Sequence, residues 1–176
     1  MKKILLTSAM LIFSGCTIMD NPNMKQLLTR DKIYHTALIH THKAQLIASL
    51  ETKALLTATY LNPVSDKNPD SRIFDFNTED GEYFFVGIYI SDSKEHKFNT
   101  KGYRLTLNNQ EPIEVKELHK NDPLKYEMPM VDNWSTYYRV KFRKNNHNEQ
   151  KLIFESERFG KDVILYEKEP KGFLDL

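Results

Sequence analysis

Two spacings of apolar residues divide the chain. Met24, Leu27, Leu28, Tyr34 and Leu38 fall on one helical face, with Asn23 placed to cap the first turn, and predict a short helix that ends before His42. Beyond it the period becomes two. Tyr103, Leu105 and Leu107 alternate with Arg104, Thr106 and Asn108, and Tyr138, Val140 and Phe142 alternate with Arg139, Lys141 and Arg143. Such alternation is the mark of strands buried on one face. Further strands are predicted at 43–49, 54–61, 72–76, 82–91, 111–117, 151–157 and 162–168. The segment 82–91 is apolar or aromatic on both faces, as a central strand requires.

The links between these runs carry turn chemistry, at Asn108-Asn109, Asn145-Asn146 and Gly160-Lys161. They are too short for crossover helices, so the strands must pair antiparallel. The expected fold is mainly β, an immunoglobulin-like antiparallel sandwich preceded by the helix, with a small closed barrel as the alternative. The inter-sheet cysteine pair of antibody domains is absent, because the chain holds one cysteine.

That cysteine follows a distinct amino-terminal segment: Lys2-Lys3, an apolar run from Ile4 to Phe13, then Ser14-Gly15-Cys16. Basic, apolar and small residues in that order make a secretory signal. As a helix, ten apolar positions at about 1.5 Å each reach roughly 15 Å, half of a ~30 Å hydrocarbon core, so the run is too short to span. Ser14-Gly15-Cys16 resembles the lipobox of bacterial lipoproteins, with Phe13 where that pattern usually has Leu. The resemblance implies a diacylglyceryl thioether on Cys16, cleavage before it, and acyl chains of the palmitate kind on the new amino terminus. Two or more chains hold a protein to a bilayer stably. Thr17 stands where an Asp would favour inner-membrane retention in Gram-negative lipoproteins, so the resemblance points to the outer membrane. The expected organisation is a cleaved signal at 1–15, a lipidated tether at 16–23, the helix and its junction at 24–41, and a single sandwich domain at 42–176.

With 25 Lys and Arg against 24 Asp and Glu, the formal charge is +1, and loss of Lys2 and Lys3 with the signal makes it −1. A near-neutral domain lacks the basic surface that nucleic acid requires. No Gly-x-Ser-x-Gly elbow, His-Glu-x-x-His helix or phosphate-cradling glycine loop occurs. Cysteine catalysis is ruled out by the use of Cys16 as the anchor.

Four constellations have candidate chemistry. His40 and His42, near His35, have the spacing of two imidazoles on one strand face, a possible start to a metal site, and Met128 and Met130 around Pro129 offer thioethers suited to cuprous copper. Asp66, Asn68 and Asp70 open like a calcium loop, but Ser71 and Asn77 stand where its glycine and bidentate glutamate belong. Arg139, Lys141 and Arg143 make a basic stripe typical of a solvated strand face. The fourth, 128–138, joins the sole tryptophan, Trp134, to Met128, Met130, Tyr137 and Tyr138 among turn residues. It reads either as a partner-contact loop built on Met128, Met130, Trp134 and Tyr137 or as a segment whose Trp134 fills the core.

These features describe a lipid-anchored, non-enzymatic envelope module that needs no cofactor beyond its covalent lipid and engages another envelope protein or cell-wall glycan. A metal-handling lipoprotein and a hydrolase with a site assembled in space are the competing readings. The anchor is directly testable. Labelled fatty acid is expected to enter the wild-type chain and not Cys16→Ala, which should accumulate unprocessed or soluble; equal labelling of both would refute lipidation at Cys16.

Overall fold

A computed structural model describes residues 22–91, 93, 96–97 and 102–168, with side chains from residue 30 onward. The order is α1 (Pro22–Ile39), β1 (Thr41–Ala48), β2 (Glu51–Tyr60), α2 (Leu61–Asp66), β3 (Gly81–Ile90), β4 (Tyr103–Leu107), β5 (Glu114–Glu117), α3 (Pro123–Glu127), β6 (Thr136–Arg143), β7 (Glu149–Ser156) and β8 (Gly160–Glu167). All strand pairs are antiparallel, and they form two sheets, β1-β2-β3-β6-β5 and β4-β7-β8. With β2 to β8 named A to G, this is A-B-E-D facing C-F-G, the strand order of an immunoglobulin constant-type sandwich. Strand β1 is an addition at the edge beside β2. The sheets do not close into a barrel, although the Gln45 amide of β1 donates to Asp162 of β8 across one side (2.9 Å).

Each strand places alternate side chains between the sheets. Leu56, Phe84, Val86, Val140 and Phe142 from the larger sheet meet Leu105, Leu152, Phe154 and Ile164 from the smaller one. Strand β3 lies in the middle of the five-stranded sheet and is buried on both faces, as its sequence requires. Its second face exists because a second apolar cluster covers part of the sheet's outside. There Ile33 and Ala37 of α1, Leu61 and Val64 of α2, and Leu118, Leu124 and Met128 around α3 pack over Tyr83, Phe85 and Tyr137.

Several sequence expectations change. The helix begins at Pro22, where a missing N–H costs nothing in a first turn, so Asn23 lies inside it and is not its cap. Its buried face carries Ile33 and Ala37, four residues apart, while Tyr34 and Leu38 are exposed. The segment 72–76 is irregular; Ile73, Phe74 and Phe76 pack against the outer cluster as a flap. Helices α2 and α3, of six and five residues, carry too few apolar positions for a periodicity to show. Thr106, on the polar side of its alternation, is buried as well.

One end of the sandwich is closed by a buried carboxylate. Glu82 is 0% exposed. Its Oε2 accepts from the Tyr60 hydroxyl (2.6 Å) and Asn62 Nδ2 (3.2 Å), and its Oε1 accepts from Lys168 Nζ (2.6 Å) and the Asn145 N–H (3.2 Å). Burial and the adjoining carboxylate push the Tyr60 hydroxyl far above its ordinary pKa, which keeps it a donor. A buried ion stripped of one partner typically costs 3–5 kcal/mol. Lys168→Met is therefore expected to destabilise the domain by about 3 kcal/mol, and Glu82→Gln in the same chain should restore part of the loss. Urea unfolding of the three variants checks this; a Lys168→Met midpoint equal to wild type would show that the charge is not held by Lys168.

Candidate functional site

The cover on the outside of the larger sheet stops at one ring. Tyr137 of β6 lies opposite Gly87 of β3, and a Cβ at residue 87 would come within 2.5 Å of the Tyr137 ring. The missing side chain lets that ring lie flat on the sheet, stacked on Phe85 at 5.3 Å between centroids. Lys125 sits over it at 4.7 Å, and burial raises the pKa of its hydroxyl. That hydroxyl accepts the Asp132 N–H (2.7 Å). Asp132 in turn organises the segment that enters β6. Its Oδ1 accepts from the amides of Trp134 (3.0 Å) and Ser135 (2.7 Å), and its Oδ2 accepts from the Ser135 hydroxyl (3.0 Å). Short polar side chains brace turns in this way.

Trp134 stands on this braced turn with 66% of its surface exposed. Beside it no helix among the described residues covers the outer sheet face, and a shallow groove of about 540 Å³ runs between Gln45, Thr52, Leu55, Tyr89, Asp132 and Trp134. Pairing register builds its floor: Gln45 of β1 lies opposite Leu55 of β2, and Leu55 opposite Tyr89 of β3. Tyr89 is supported from behind by His96, whose ring stacks on it at 4.7 Å. Exposed apolar residues flank the groove's elements: Met130 and Val131 on the Trp134 segment, and Ile47 and Leu50 on the β1–β2 hairpin. Leu50 and Met130 both have positive φ, 65° and 59°. For residues other than Gly, Asn or Asp, that conformation carries a cost of order 1 kcal/mol.

Of the four proposed contact residues, Trp134 and Met130 are exposed, whereas Met128 and Tyr137 are 3% and 2% exposed and belong to the outer cluster. The latter two hold the segment down, and the former two face solvent. Trp134 is not the core tryptophan of an immunoglobulin domain; Leu105 and Phe154 pack between the sheets on the strands named C and F. Cys16 lies outside the described residues.

The other constellations disperse. His40 is buried in the turn between α1 and β1, where burial and the nearby Lys67 charge lower its pKa, while His42 packs edge-on against Tyr166 at 5.0 Å and is lowered by burial. Among the described residues no three His, Cys, Asp or Glu side chains gather as a metal site. Asp66 accepts from the Thr78 hydroxyl (2.8 Å) and the Asn68 amide nitrogen donates to the Val64 carbonyl (2.8 Å), so these two side chains are held by separate partners. Arg139 and Lys141 of the basic stripe lie over Phe76 and Tyr83 and pair with Asp75 and Asp80. They roof the aromatic cluster, as long cationic stems can. A smaller cavity of about 150 Å³ near Arg139 is lined by Arg72, Lys116 and Asp122, and the Asp122 carboxylate caps α3 through Leu124 N–H (3.0 Å).

No family model, curated protein or solved structure matches the chain. Its functional reading therefore rests on its own geometry. Gln45, Thr52, Leu55 and Tyr89 have no distinguishing local pattern and meet only through register; the Asp two residues before Trp134 is the one signal of a braced turn in the sequence. The exposed and buried rings should separate cleanly. Trp134→Ala is expected to change stability by less than about 0.5 kcal/mol, and Tyr137→Ala to cost about 3 kcal/mol or more. Native tryptophan emission should match solvated indole and quench readily with acrylamide; blue-shifted, protected emission would contradict this placement.

Proposed function

We propose that the protein is a lipid-anchored, non-enzymatic binding module of the cell envelope, and that the open half of its larger sheet around Trp134 is the contact face. The observation that carries this reading is the contrast between a rigid support and an exposed ring. Asp132 and Tyr137 hold the segment through four hydrogen bonds, yet the ring they position buries little within the chain. A large ring fixed in advance loses little conformational freedom on binding, and such rings dominate contact energies. Exposed apolar side chains clustered on one surface are a further mark of an interaction site. The Cys16 lipid would hold this face within the envelope, beside other membrane-bound proteins or the cell wall.

The reading is tested in intact cells with a photoreactive benzoylphenylalanine in place of Trp134, compared with the same group in place of Leu165, an exposed residue on the smaller sheet. A discrete adduct is expected from position 134 alone and should fade when Met130→Asp is added. No adduct, or equal adducts from both positions, would remove the contact face.

A further inference from the structure

We infer that the Trp134 groove binds a neutral glycan strand, laid across the sheet at right angles to β1, β2 and β3; the inference rests on the contact-face reading above. Gln45, Leu55 and Tyr89 stand side by side on three adjacent strands, and Trp134 continues the row from the segment entering β6. Three strand spacings of about 4.8 Å make a row roughly 14 Å long, enough for a few sugar rings in sequence. Along it run a carboxamide, an aliphatic side chain and two aromatic rings.

Charge narrows the ligand. Asp132 is the one ionisable carboxylate or amine lining the groove, and both its oxygens are taken by hydrogen bonds within its own turn. The groups left for a ligand are neutral: the Gln45 carboxamide, the Thr52 hydroxyl and the Tyr89 hydroxyl, whose side chains have no hydrogen-bond partner among the described residues. A ligand matched to this surface is uncharged, rich in hydroxyl or amide groups, and apolar on the flat faces of its rings. Those are the properties of a saccharide chain. Aromatic faces receive the C–H side of a pyranose, and the carboxamide and hydroxyls receive its edge. The groove is also shallow and open along its length, so it does not enclose a side chain as a protein hot-spot pocket does. A strand of rings lying flat needs no such enclosure.

Because Trp134 is the only tryptophan in the chain, its emission reports this groove alone. Detergent-solubilised full-length protein is titrated with a hexamer of β-1,4-linked N-acetylglucosamine, and in parallel sedimented with insoluble chitin, the neutral polymer of the same sugar, and with purified cell-wall sacculi. A saturable shift of Trp134 emission is expected, with co-sedimentation on both polymers. Gln45→Ala and Tyr89→Ala should each weaken binding about tenfold, the loss that accompanies removal of one well-made contact. Thr52→Ala, on an exposed strand position, provides a variant with little chance of disturbing the fold. Unmoved emission at millimolar saccharide, binding to sacculi but not to chitin, or affinity indifferent to Gln45→Ala and Thr52→Ala would overturn the glycan assignment. A photoadduct from position 134 that contains only protein would overturn it too, and would leave the contact face standing.

Discussion

A carboxylate with no access to water imposes conditions on everything around it, and Glu82 imposes them on four other parts of this chain. Its oxygens need the Tyr60 hydroxyl from the end of β2, the Asn62 amide from α2, the Asn145 N–H from the β6–β7 link and the Lys168 ammonium after β8. Desolvating one charge costs several kcal/mol unless these partners are all in place, so the end of the sandwich forms together or not at all. The network extends further. Asn145 exchanges hydrogen bonds with the fully buried Gln150, which also accepts from Asn108, and this links the β4 turn to the same closure. Asn62 Oδ1 receives the Tyr83 N–H, so α2 is held against β3 at the point where that strand begins.

Among the described residues the opposite end of β3 has no such closure, and the two faces of the larger sheet differ along their length. Its inner face is covered by the smaller sheet from β1 to β6, while the edge strand β5 stays exposed. Its outer face is covered only where α1, α2, α3 and the 72–76 flap reach, and the last side chain of that cover is Tyr137 lying on Gly87. Past this contact the sheet presents Leu55 and Tyr89 to solvent beside Trp134. Rigidity and exposure thus arise from one arrangement: the hydroxyl of the buried Tyr137 holds the Asp132 N–H, and Asp132 aims the exposed ring. The positive φ of Leu50 belongs, with that of Ser49, to the two-residue turn joining β1 to β2, where such a conformation at both positions matches the twist of the paired strands, while that of Met130 lies on the segment leading to Trp134.

How much of this was legible follows from the range over which each force acts. Alternation of apolar and polar residues is local, and it was enough to place all eight strands, the central position of β3 and the sandwich class; the resemblance of the amino-terminal segment to a lipoprotein signal is likewise read from neighbouring residues. Tertiary structure decided which ring is core and which is exposed. Met128, Trp134 and Tyr137 are all large and apolar in sequence, but Tyr137 has a glycine opposite it on β3, fifty residues away, and Trp134 has no covering helix among the described residues. The same holds for Glu82, whose polarity seems out of place in a buried strand until partners from four other segments converge on it. It holds too for the row of Gln45, Leu55 and Tyr89, which exists only because a side-chain period of two in each strand is locked to its neighbours by backbone hydrogen bonds. Sequence alone determined where strands form; the pairing of distant segments, driven by burial of one charge and two apolar clusters, decided which side chains reach the surface around Trp134.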